Sequence, residues 1–331
     1  MSILVTGASG FIGLNLLETL LRKGEKVVAF SHDAVPEHAL AHLAPLGGSL
    51  EWLRGDVSDP DTVQSLFAGR DISHVVHAAT ITAGPQLPPT QAERVLRVNI
   101  TGTQLMLQAA RQASVKRFVL ISSSAVNGDA PFEPQRLDET SSTRPLGLYG
   151  YTKLATEQLA QLWQQQYGLD VITARLTAIF GPWERDTGVR GTLSPPFQLA
   201  LEALRGSPAT ISAHGRRDWT LSTDIAAGIC TLLFAPSPRH RLYNLASGEL
   251  WHPRMLCQAL QAVFPHWSWQ ESEDASACTV QYNDDLSRPR ISPLLGERYS
   301  SEFQTAFTPA ARAVEIYARW VHEHSRFLLN P

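Results

Sequence analysis

Short apolar runs alternate with longer amphipathic stretches through the first 180 residues. The runs SILVTG (2–7), KVVAF (26–30), SLEWLRGDV (49–57), HVVHAA (74–79), RFVLISS (117–123) and DVITARLTAIFG (170–181) predict six strands. Runs this short and this apolar suit strands covered on both faces. Between them, FIGLNLLETLLRKG (11–24) predicts a helix ended by Gly24, AERVLRVNITGTQLMLQAARQA (92–113) a second, and the stretch that carries Tyr149 and Lys153 another. Strand–helix–strand alternation predicts an α/β fold with a parallel sheet covered on both sides. The right-handed crossover rule makes that sheet doubly wound.

The pattern changes after Gly181. GPWERDTGVRGTLSPP reads as a loop, FQLALEALRG as a helix, RLYNLA as a short strand and AARAVEIYARWV as a late amphipathic helix. We expect a dinucleotide-type domain from residues 1–176 and 218–246. Residues 177–217 and 247–331 then form a smaller, partly interleaved substrate lobe.

Composition narrows the functional classes. The 331 residues are 44% hydrophobic and 18% charged, with a net charge of −3. This suits a globular protein and offers no basic surface for nucleic acid. Cys230, Cys257 and Cys278 form no C-x-x-C pair, so neither a disulfide framework nor a cysteine zinc site is expected. No signal-peptide pattern opens the chain and no apolar run is long enough for a membrane span, so the cytoplasm is the expected compartment. His74 and His77 lie on the fourth strand, and His322 and His324 lack metal-helix spacing; no metal site is expected.

Gly7, Gly10 and Gly13 follow the first strand and open the first helix. There, a backbone without side chains can approach a pyrophosphate, whose charge sits at the helix N-terminus together with the amides of Phe11 and Ile12. In an NAD site the second strand ends in a carboxylate that accepts from the ribose hydroxyls. Here that position holds Ser31, followed by His32. A serine leaves room for a 2′-phosphate that His32 can cover, which favours NADP. No arginine stands where NADP sites place one, and Asp33 would serve NAD if the strand ran further. Asp56, with Val57 after it, follows the third strand and can reach an adenine, or can be an ordinary turn aspartate.

Tyr149 and Lys153 stand four residues apart at the start of a helix. Alone, that spacing is what any helix provides. In order along the chain, however, stand TGASGFIG, GDVSD, HAA, VNITGT, ISSSAVNG, YGYTK, RDW and YNLASGE. Together they resemble the extended short-chain dehydrogenase/reductase family of nucleotide-sugar epimerases, dehydratases and reductases, from residue 1 to about 250. The resemblance implies a Rossmann domain, Tyr149 as general acid/base and Lys153 as the cation that holds the nicotinamide ribose and favours the tyrosinate. A free tyrosine titrates near ~10, and a neighbouring ammonium lowers that value. It also implies a hydroxyl from Ser123, or from Ser124 beside it, on the reacting oxygen. Ala78 and Ala79 would line the cofactor, and Asn99 would support the cofactor or the structure of its site. Helices 91–113 and 150–167 would build a homodimer.

Departures from the family pattern narrow the activity. Ser124 and Ala125 replace the Asp–Glu pair of the 4,6-dehydratases, which argues against dehydration. Asn127 replaces an epimerase tyrosine and Ala178 an asparagine that contacts the nucleotide, whereas Arg217, with Arg216 before it, matches a diphosphate-binding arginine. The favoured expectation is an NAD(P)-dependent oxidoreductase that transfers a hydride to or from a secondary alcohol of a sugar, sugar acid or similar small polar substrate. Arg217 or Arg190 would pair a substrate anion, and Trp183, Trp219 and Trp251 either line a pocket or pack. The alternative is a nucleotide-sugar epimerase with tightly bound NAD. A non-catalytic sensor is disfavoured because Tyr, Lys and Ser are all retained.

Overall fold

The computed structural model describes residues 1–84, 87–186, 193–282 and 285–329. The first half runs β1 (Ser2–Thr6), α1 (Phe11–Arg22), β2 (Lys26–Ser31), α2 (Glu37–Leu43), β3 (Ser49–Arg54), α3 (Pro60–Phe67), β4 (Ile72–His77), α4 (Pro89–Leu96), α5 (Gly102–Gln112), β5 (Arg117–Ser123), α6 (Leu148–Tyr167) and β6 (Val171–Leu176). The remainder runs β7 (Ile179–Phe180), α7 (Pro195–Arg205), β8 (Ala209–Ser212), β9 (Thr220–Leu221), α8 (Ser222–Phe234), β10 (Leu242–Leu245), α9 (Arg254–Val263), β11 (Trp269–Ser272), α10 (Glu297–Phe303), α11 (Ala310–Glu323) and α12 (Ser325–Leu329).

Seven parallel strands form the main sheet in the order β10-β6-β5-β4-β1-β2-β3. Successive side chains point to opposite faces, and here both faces are apolar. Leu4, Val28, Val75 and Phe118 pack under Leu66, Met106 and Trp163 of α3, α5 and α6. Ile3, Val27, Val76 and Val119 pack under Leu17 and Leu20 of α1 and Ile225 and Ile229 of α8. Each fully buried leucine contributes roughly 2 kcal/mol of transfer free energy. The second apolar cluster continues without a break into α7, α9 and α11, so the C-terminal part shares a core with the sheet.

The expected sixth strand is in fact two. β6 ends at Leu176, and β7 leaves the main sheet to pair with β9. The break is held by Thr177, whose hydroxyl donates to the Asp218 carbonyl at 3.1 Å, and by Thr220 N–H, which donates to the Ala178 carbonyl at 2.9 Å. The expected helix over 92–113 is likewise α4 and α5 joined by a π-helical turn at Arg97–Thr101.

Candidate active site

Strand order reverses at β1, whose neighbours are β2 and β4. The crevice beyond the carboxyl ends of the strands at such a point is where open α/β sheets bind ligands. Gly7 turns the chain there with φ +66°, and a Cβ on it would stand 2.8 Å from the Ala78 backbone. The loop after β1 and the exit of β4 are thus in direct contact. A Cβ on Gly13 would lie 2.3 Å from the Gly7 carbonyl oxygen, so α1 can start only on a glycine there. α1 has no side-chain cap on Gly10 and no acidic residue in its first turn, so no carboxylate there opposes an anion at the positive end of the helix. This glycine turn and helix start without a side-chain cap fit a dinucleotide pyrophosphate, with Phe11 and Ile12 as the first helical residues.

Around this loop, Ala79 N–H donates to the Thr6 hydroxyl at 3.2 Å. His77 is buried between the Thr6 hydroxyl at 2.8 Å and the Thr103 hydroxyl at 3.0 Å. Burial, with the Lys153 charge adding to it, pushes His77 down to about 3, so it stays neutral. Val57 is buried against Gly102 of α5. Asp56 accepts from the Ser58 amide and hydroxyl at 2.8 and 2.7 Å. Burial acts to raise its carboxyl, but those two bonds together with the His32 and Arg97 charges outweigh it and hold the group below its ordinary value.

Ser31 closes β2, and its hydroxyl donates to the Asp33 carbonyl at 2.8 Å. His32 contacts the Asp33 carboxylate at 2.9 Å. The arginine that sequence reasoning missed arrives from the other half of the chain: Arg185 Nη2 donates to the Ser9 carbonyl in the glycine loop at 3.0 Å. Nothing in the linear sequence signals this, since the partners are 176 residues apart.

The second half of the site is α6. A Cβ on Gly150 would meet the Ala125 carbonyl oxygen at 2.6 Å, so a glycine lets the first turn of α6 close onto the 3-10 turn Ser124–Asn127. Tyr149 lies half-buried in that turn, whereas Tyr151 points to solvent. Lys153 is buried one turn on, its ammonium donating to the Ile121 carbonyl at 2.9 Å and lying 5.6 Å from the centre of the Tyr149 ring. Burial brings Lys153 down to about 8, while the Glu157 charge works against that fall. Glu157 itself takes a two-pronged hold from Arg175, at 2.8 and 2.7 Å, and the Ser122 hydroxyl at 2.6 Å. Ser123 is occupied locally, accepting the Ala125 amide at 3.2 Å, and Ser124 follows it half-buried. Asn99 joins segments: it accepts from Ile81 N–H at 2.8 Å and donates to the Thr152 hydroxyl at 3.0 Å, tying the strand β4 exit to α6.

In the C-terminal part, Arg217 pairs its backbone with Trp251 in an antiparallel bridge. Trp183, Trp219 and Trp251 are buried and pack in the core, Trp183 edge-on to Trp320 and Trp219 tilted against Trp251, which is the packing reading of these residues. Arg190 lies outside the described residues. Among the described residues, no three His, Cys, Asp or Glu side chains are grouped to hold a metal ion, and no helix is long and apolar enough to cross a membrane.

These features can be set beside known proteins. A dTDP-glucose 4,6-dehydratase of Streptomyces niveus is 31% identical over 300 residues, covering 88% of this chain and 86% of its own. An uncharacterized UDP-glucose epimerase of Bacillus subtilis is 30% identical over 262 residues, covering 75% and 78%. Among solved structures, MoeE5 in complex with UDP-glucuronic acid and NAD is 26% identical with a TM-score of 0.74, covering 98% of this chain and 99% of that one. The UDP-glucose 4-epimerase of Thermotoga maritima, at 18% identity and a TM-score of 0.79, shares the fold. The family model described as the NAD dependent epimerase/dehydratase family matches residues 3–246, and the chain is an enzyme of that family.

Proposed function

We propose that this protein is an NAD-dependent nucleotide-sugar epimerase. The observation that carries the proposal is Lys153, a buried ammonium fixed on the Ile121 carbonyl one helical turn from Tyr149. Gly7, Gly10, Phe11, Ile12 and Gly13 would hold the pyrophosphate, Asp56 and Val57 the adenine, and Ala78, Ala79 and Lys153 the nicotinamide ribose side. NAD, when bound, supplies a hydride acceptor that can be regenerated in place. Tyr149, as a phenolate stabilised by the Lys153 charge, takes the proton from a sugar hydroxyl and becomes the neutral phenol. Ser123, with Ser124 as the neighbouring choice, donates a hydrogen bond to the same sugar oxygen. Arg217 pairs the nucleotide diphosphate. Residues 177–217 and 247–331 are the proposed substrate lobe, and a homodimer through α4–α6 is part of the proposal.

Support for NAD over the NADP favoured by Ser31 and His32 comes from solved relatives that carry NAD. Support for an epimerase over a plain dehydrogenase comes from relatives that are nucleotide-sugar enzymes. Ser124 and Ala125, in place of an Asp–Glu pair, stand against dehydration. Ala178 and Asn127 favour a second reading, hydride transfer to or from another polar alcohol.

Purified protein is denatured and the released nucleotide identified, and NMR follows C4 of UDP-glucose and UDP-glucuronate. NAD near one per chain with a C4 epimer formed is expected. An empty protein that oxidises its substrate only as added NAD is consumed would replace this reading with the dehydrogenase one.

A further inference from the structure

We propose that Glu157 and Arg175 are a positioning pair that keeps Lys153 charged beside Tyr149. This inference rests on the roles proposed above for Tyr149 and Lys153. Tyr149, Lys153 and Glu157 follow at four-residue intervals on α6, so they share one face of the helix. That face meets two neighbouring strands. Lys153 donates to the Ile121 carbonyl of β5 at 2.9 Å. One residue on, the Ser122 hydroxyl donates to Glu157 at 2.6 Å. Ser122 stands opposite Arg175 in the register of β5 and β6, and Arg175 closes on the same carboxylate with Nε at 2.8 Å and Nη2 at 2.7 Å. Glu157 thus bridges the strand that anchors Lys153 and the strand that carries Arg175. The remaining nitrogen of Arg175, Nη1, is buried without an acceptor, so among the described residues Glu157 alone holds this guanidinium.

Lys153 and Arg175 are buried and Glu157 nearly so, where water screens little and charges act over longer distances. Facing Lys153 are Tyr149 and Glu157 from its own helix and His77 from β4, with Arg175 of β6 behind Glu157. His77 is neutral, so it cannot balance the ammonium. The cavity beyond the pair is lined by His240, Arg241 and Arg298, and the two arginines have carboxylates of their own, Asp170 and Glu139. Removing either half of the pair therefore has opposite consequences. Without the carboxylate, Arg175 is left as a second buried cation close to Lys153 and drives the ammonium toward its neutral form. Without the guanidinium, Glu157 is a bare carboxylate and holds the ammonium more strongly. A pair with a structural role alone would lose the same anchor either way.

The chain's lysines are Lys23, Lys26, Lys116 and Lys153, so NMR of protein carrying isotope-labelled lysine can follow each ammonium through its titration, with Lys153→Met assigning the buried one. The test compares the wild type with Glu157→Gln, Arg175→Met and the double variant Glu157→Gln/Arg175→Met, each checked for folding by its melting temperature. Glu157→Gln should lower the Lys153 midpoint by about one pH unit, Arg175→Met should raise it by about half a unit, and the double variant should lie between them. The alkaline fall of kcat/KM for C4 epimerisation of UDP-glucose should begin earlier in Glu157→Gln by the same interval. Midpoints that move in the same direction in both single variants, or by less than about 0.2 unit in each, overturn the inference. If Arg175→Met does not fold, the Glu157→Gln midpoint decides alone. A moved midpoint with an unmoved rate profile overturns the pair's bearing on Tyr149. A folded wild type that forms no C4 epimer overturns the proposed function, while the NMR midpoints still decide whether the pair sets the charge of Lys153.

Discussion

The two ends of the crevice are built differently. At the Tyr149 end, the polar groups are buried or half-buried and held by fixed partners from other segments: Lys153 by Ile121, Glu157 by Arg175 and Ser122, Asn99 by Ile81 and Thr152. At the Ser9 end, the backbone is tightly packed, but the charged side chains of His32, Asp33, Arg54 and Arg185 stand wholly or partly in water. A buried cation needs fixed partners, because leaving it unpaired costs several kcal/mol. A solvated charge can wait for its ligand. The first end is therefore rigid and tuned for proton transfer, and the second is adjustable and tuned for recognition.

The sharpest test of the contrast is Tyr149→Phe. General acid/base groups contribute roughly 10²–10⁴-fold, so turnover should fall about a thousandfold while nucleotide binding barely changes. Retained turnover would remove Tyr149 from the chemistry. Next, Arg175→Leu should leave Glu157 buried without its partner and cost about 3–4 kcal/mol in denaturant unfolding; a loss below about 1 kcal/mol would show that the pair is dispensable.

Third, His77 provides a pH signature. The unfolded chain takes up a proton near the ordinary histidine value, whereas the folded chain resists to about 3. Stability is therefore full above the ordinary value and declines as pH falls toward 3, with about 3 kcal/mol lost between about pH 6.5 and 4. His77→Asn should flatten that stretch of the stability profile, and parallel wild-type and variant profiles would count against the assignment.

Smallest is Gly7→Ala at the other end. Its positive φ and the 2.8 Å approach to Ala78 predict a loss of about 2 kcal/mol together with weaker dinucleotide binding. A variant as stable as the wild type would mean that the loop yields more easily than the tight packing implies.

Much of this was legible in the sequence. The apolar runs marked the strands, because a strand covered on both faces leaves no polar alternation. The three glycines marked the turn after β1, and the four-residue spacing placed Tyr149 and Lys153 on one face of α6. Helix and strand periodicity are local properties, so local patterns reveal them. The sequence did not show that the stretch 170–181 divides at Thr177. That break depends on Asp218 and Thr220, which lie some 40 residues on.

What the sequence alone determined is the sheet, the glycine turn and the Tyr–Lys pair. Only tertiary structure decided how charge is arranged around them: Glu157 held by Arg175 behind Lys153, and Arg185 brought to Ser9 from 176 residues away. The physical reason is that electrostatic interaction depends on distance in space and on burial. Neither is encoded at any single position; both exist only once the chain has packed.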